Sequence, residues 1–109
     1  MHREILDSET ESDRLERIEQ LVGDSGPDWS EPYKPGSFGC HELLDRTSTL
    51  ADQIEHLILS HPSCVLDPEW YALAESAAST LRDLYQRIGA VHLGGDVAGT
   101  NQAPMTTDR

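Results

Sequence analysis

"DPEWYALAESAASTLRDLYQRIGAVH", residues 67–92, reads as one long helix with its start written into the chain. Asp67 suits the N-cap, Pro68 the first helical position where a missing N–H costs nothing, and Glu69 the positive end of the helix dipole. Gly94 and Gly95 mark the stop, and Gly89 weakens the last turn. Inside it, Trp70, Ala74, Ala77, Leu81, Leu84, Ile88 and Val91 recur at alternating spacings of four and three. Tyr71, Ala78 and Tyr85 form a seven-spaced row beside them. Two adjoining apolar rows belong to a helix that packs on more than one neighbour. The small side chains at 74, 77 and 78 let another helix come close.

Working back along the chain, a second periodic segment runs from Ser37 or Cys40 to Ser60. Leu43, Leu44, Thr47, Leu50, Ala51, Ile54, Leu57 and Ile58 fill one broad face, and Glu42, Asp45, Thr49, Asp52, Gln53 and His56 the other. Pro62 ends it, because the residue before a proline avoids the helical region. A connection of about five or six residues between two long helices folds them back on each other. The expected fold is therefore all-α: an antiparallel helical hairpin with a short N-terminal helix, completing a bundle with another copy or a partner.

The short helix is expected near 13–22, capped by Ser12 or Asp13, carrying Leu15, Ile18, Leu21 and Val22, and ended by Gly23. "GDSGPDWSEPYKPG", residues 23–36, holds three prolines and makes a long connection, with Trp29 and Tyr33 expected to anchor it. The domain reading is thus an acidic N-terminus without fixed structure over 1–12, a short helix and connection over 13–35, a hairpin over 36–95, and a tail over 96–109.

The 109 residues allow one small domain with a thin core, a size that often leans on an oligomer or a partner. No run of 18 apolar residues occurs, and the N-terminus lacks the basic-then-apolar pattern of a signal peptide, so a cytoplasmic protein is expected. The net charge is −12, and residues 1–31 contribute ten acids against three Arg. Such an excess argues against direct binding to phosphate backbones, and permits a basic protein partner or mimicry of nucleic-acid charge. With no apolar run long enough to span a bilayer, no membrane partner is expected either.

Two Cys and five His raise the question of a metal. Cys40-His41 and His61/Cys64 flank the first long helix and lie about 30 Å apart along it at ~1.5 Å per residue. That span excludes both a single zinc site and a disulfide between Cys40 and Cys64 within one chain. The hairpin instead brings His92 near Cys40, His41, Glu42 and Asp45. His41, Glu42 and His92 are the metal candidates of that end, with Asp52 and His56 as a lesser pair. Against them stands a plainer reading of "YKPGSFGCHELLDRT", residues 33–47, as a capped helix start, with Phe38 and Cys40 inside and His41 and Glu42 at the surface. No phosphate-binding Gly loop, paired CxxC, HExxH or GxSxG is present.

The function expected on these grounds is that of a small acidic non-enzymatic interaction protein, an accessory or inhibitory subunit that uses a helical face. Its contact residues are expected at Phe38, His41, Glu42, Tyr71, Ala78 and Tyr85, with Ala74 and Leu59 joining them in self-association. No cofactor is implied. The alternatives are an acidic nucleic-acid mimic that blocks a DNA- or RNA-binding protein, and a metal-binding helical protein.

Overall fold

The structure, a computed structural model, describes residues 7–94. These are helical with no strand among them, and the chain divides into two units after Pro32.

In the first unit, α1 spans Ser8–Ser25. It begins earlier than the apolar pattern suggests because Asp7 supplies the cap: its carboxylate accepts the Thr10 N–H at 2.7 Å. Glu9 and Glu11 then sit in the first turn, where the dipole favours them. The helix also runs through Gly23, since a glycine inside a helix costs only about 1 kcal/mol. It stops at Gly26, whose φ of +90° no L-residue adopts easily, and Pro27 follows. Residues 7–12 are therefore helical or capping, which corrects the reading of 1–12 as unstructured. The first six residues lie outside the described part. No residue of α1 is buried.

The second unit opens after a 3-10 turn at Glu31–Tyr33. Tyr33 stands 57% exposed, contrary to the anchoring role expected for it. Helix α2, Phe38–Gln53, is capped by Ser37, whose hydroxyl accepts the Cys40 N–H at 3.1 Å. The same helical run continues as a π segment over Ile54–Leu59. A short helix α3, Pro62–Leu66, occupies the connection, and α4 spans Pro68–His92. Asp67 caps α4 as expected, its Oδ1 accepting from Glu69 N–H at 2.9 Å and Trp70 N–H at 3.1 Å. The expected tail at 96–109 lies outside the described residues.

Three contacts tie α2 and its π extension to α4. The His41 and His92 rings lie 5.4 Å apart between centroids. Leu44 Cδ1 would sit 3.7 Å from a Cβ placed on Gly89. Arg82 donates to Glu55 at 2.5 Å.

The buried apolar residues are Leu44, Ala51, Leu59, Cys64 and Ala78. Thr47 is buried with them, its hydroxyl satisfied by donating to the Leu43 carbonyl at 2.8 Å. Along α2 the inward stripe runs Cys40, Leu44, Thr47, Ala51, Ile54 and Leu59, at spacings of four, three, four, three and then five. The final five is the signature of the π turn, which takes one extra residue per turn. It turns Leu59 inward and leaves Leu57 and Ile58 outside, where a pure α period had placed them inside.

Along α4 the inward stripe is Ala74, Ala78, Leu81, Ile88 and Gly89, with Tyr85 at its edge. It draws on both rows read from the sequence and keeps neither whole. Ala78 is 0% exposed and Leu59 and Ala74 are turned inward, so these three are packing residues and not part of an open contact surface.

Candidate functional site

Two places carry side chains that the packing does not use. The first is the end where α2 begins and α4 finishes. Gly36, at φ +91°, donates its N–H to Nδ1 of His92 at 2.7 Å, which fastens the chain before α2 to the last turn of α4. That bond requires Nδ1 of His92 to be an acceptor, so its proton sits on Nε2. His41 lies against the same ring and is exposed, as is Glu42. Glu42 is instead bonded to Arg46, which donates to it at 3.1 Å one turn along. His41 and His92 thus meet, and Glu42 does not join them. Asp52 and His56 connect through the Asp52 backbone carbonyl, 2.9 Å from His56 Nδ1, and not through the carboxylate. Among the described residues no group of three or more His, Cys, Asp or Glu is placed to hold a metal ion. Both cysteines are free, Cys64 buried and Cys40 half-buried.

Phe38 is the surprise of this end. It is 86% exposed at the first position of α2, which departs from the capped-start reading that put it inside and leaves it accessible, as an expected contact residue has to be. The cap explains this: Ser37 fixes the helix start, and the inward stripe begins at Cys40, two residues on.

The second place is the apolar surface left outside the packing. On α4, Trp70, Ala77, Leu84 and Val91 repeat every seven residues and are all exposed, with Leu73 beside them. On α2, Leu43 and Leu50 do the same, continued by Leu57 and Ile58 of the π segment. Leaving Ala77 aside, each of these is between 43% and 65% exposed. Isolated exposed leucines are ordinary; rows at heptad spacing on two helices are not. The sequence reading had Trp70, Ala77, Leu84 and Val91 in the packed seam and so missed them as a surface.

Of the remaining expected contact residues, Tyr71 and Tyr85 are partly exposed. Tyr71 lines an open apolar hollow of about 470 Å³ with Leu59, Val65, Pro68 and Ala72. Tyr85 borders a smaller, more polar one with Ser48, Asp52, Arg82 and Gln86.

In α1, the Arg14 guanidinium holds Glu11 in a two-pronged bond at 2.9 and 2.6 Å. Its hydrogen bond lowers the Glu11 carboxyl below the usual carboxylate range, and the Thr10 N–H does the same for Asp7. No helix among the described residues is long and apolar enough to cross a membrane.

Comparison with known proteins finds no matching family model, no similar curated protein and no similar solved structure.

Proposed function

We propose that this chain is a small, acidic, non-enzymatic interaction protein that binds a protein partner through one face of a helical hairpin. The reading takes α2 and α4 as antiparallel, as the pairings 41 with 92, 44 with 89 and 55 with 82 suggest. At about 100° per residue, Leu43 and Leu50 lie roughly 60–80° from the inward stripe of α2, and Trp70, Ala77, Leu84 and Val91 lie on average about 80° round, in the same sense, on α4. For helices running in opposite directions, equal rotations bring both rows to one side of the pair. The other side then carries Ser48, Asp52, Glu55, Ser79, Arg82 and Gln86.

One observation carries the proposal: the apolar rows are out of the packing on both helices, while the buried apolar set among the described residues is only five. A layer of two helices with so thin a core gains most from covering that side. Placing a photo-reactive residue at Leu84, and separately at Gln86, tests this in cells. Cross-links to a defined protein from position 84 and none from 86 are expected. Equal labelling from both, or none from either, would sink the reading.

A second reading has one observation in its favour. The acids of residues 9–24 stand on a regular helix, α1, and Glu9, Asp13 and Glu16 share one of its faces at spacings of four and three. An ordered array of carboxylates suits a nucleic-acid mimic better than a flexible acidic arm does. Under that reading the protein competes with DNA or RNA for a basic partner, and competition weakens steeply with added salt.

A further inference from the structure

We infer that the occupant of the apolar side is a second copy of this chain, packed about a two-fold axis so that two hairpins form a four-helix bundle. The inference rests on the helical-face reading above and commits it to one partner. Three observations select a copy over a lone helix.

The first is shape. The surface is two parallel rows on two helices, and one added helix fills the groove between them without covering their outer edges. A second hairpin brings two rows of the same spacing and width, and a two-fold axis makes one patch serve both partners.

Area is the second. A stable interface buries about 800 Å² per partner, of which a little over half is apolar, or roughly 450 Å². Full burial of one aliphatic side chain corresponds to roughly 60–120 Å², and an aromatic adds 150–250 Å². Eight side chains about half exposed, including Trp70, reach roughly that apolar requirement.

Charge is the third. Next to the rows stand Arg46 with Glu42, at 3.1 Å, and Arg87 with Asp83, at 3.3 Å. Each rim carries both signs, so two copies meet without setting like charge against like. Most of the acid excess belongs to residues 1–31 and not to the two helices that carry the rows. The residual repulsion between two chains of charge −12 makes association tighter, not weaker, as salt is raised.

The test uses the full chain with Trp29→Phe, which leaves Trp70 as the reporter, since the chain has two Trp. Sedimentation equilibrium from about 1 to 300 μM, spanning the range of modest affinities, gives the mass, and fluorescence gives the environment of the indole. The expected result is a species of twice the 12.1 kDa chain mass, with Trp70 emission shifted to the blue on association. Leu84→Glu and Leu50→Glu should each weaken the dimer by about 30-fold or more, and Gln86→Glu should not. Circular dichroism confirms that each variant is still helical, and a second pair, Leu84→Ala and Leu50→Ala, serves if the Glu variants do not fold.

A monomer throughout the range overturns the inference. If Trp70 in that monomer emits as a solvated indole, the second copy is wrong while a face open to another partner survives. If it emits as a buried one, the chain covers its own face and both readings fall.

Discussion

Nδ1 of His92 accepts the N–H of Gly36 at 2.7 Å, a bond between residues 56 positions apart. It fastens the chain before α2 to the last turn of α4. Gly36 holds a φ of +91°, so both partners are specialised: one must be a glycine, the other must present a bare ring nitrogen. Gly36→Ala is expected to cost about 1–2 kcal/mol, because a side chain there is strained although nothing crowds it. His92→Ala should cost about 1 kcal/mol through the lost bond. Relief of the strain in Gly36→Ala moves the N–H off His92, so the two combined should cost less than their sum. Urea titrations of the three variants measure this, and full additivity would mean that the bond survives Gly36→Ala.

Ala77 and Ala78 are neighbours with opposite fates. Ala78 has no exposed surface, whereas Ala77 belongs to the outer row. Ala78→Leu should cost about 1–3 kcal/mol by overpacking, and Ala77→Leu should not destabilise the protein. A reversal of that order in thermal unfolding would restore the seam as first read from the spacing.

The helix ends and the helical class could be read from particular residues because the physics there is local. Ser37, Asp67 and Pro68 act on the next three residues, and the structure finds all three at their posts. The inward stripe could not be read, since Trp70–Ala77–Leu84–Val91 and Tyr71–Ala78–Tyr85 are both apolar and lie side by side. Only the partner helix decides between them. Gly23 misled because it and Gly26 are equally good stops by type, and the φ that distinguishes them is a property of the folded chain. The meeting of His41 with His92 could be read from the expected fold-back of two helices; Glu42 had Arg46, four residues on, as an equally good partner by spacing.

The caps permit a graded comparison. Asp67 accepts two backbone N–H groups and Ser37 one. Asp67→Ala is expected to cost about 1–2 kcal/mol and Ser37→Ala about 0.5–1 kcal/mol, within the range measured for N-caps. Chemical denaturation of the single variants checks the order, and equal costs would show that the second bond of Asp67 adds nothing.

Acid should act first on α1. The Thr10 N–H lowers the Asp7 carboxyl and Arg14 lowers that of Glu11. A lowered carboxyl stabilises the folded form above its ordinary value of about 4, and the contribution disappears as pH falls through the lowered one. The Thr10 amide resonance is therefore expected to move toward its disordered position below about pH 4, before resonances of α4 change. In Asp7→Asn the early step should shrink. Loss of α4 signals at the same pH as Thr10 would mean that these two carboxylates do not set the response.

The π segment makes the sharpest test of the second unit, because it implies that the chain holds one residue more than a plain helix needs. Ile54 and Leu59 point inward five positions apart, and Leu57, between them, is 64% exposed. Deleting Leu57 leaves those two at the ordinary spacing of four, so the segment can revert to an α-helix without turning Leu59 or breaking the Glu55–Arg82 pair. The stability of the separate chain should be unchanged or higher, since the weaker π geometry is removed. Deleting Thr49, an exposed residue in the α part, instead rotates Leu44 and Thr47 by about 100° against Ala51. That should cost about 2 kcal/mol or more, the scale of losing a buried side chain. Thermal unfolding of the two deletions decides the matter. Equal losses from both would mean that the chain between Ile54 and Leu59 has no residue to spare, and that the inward assignment of Leu59 is wrong.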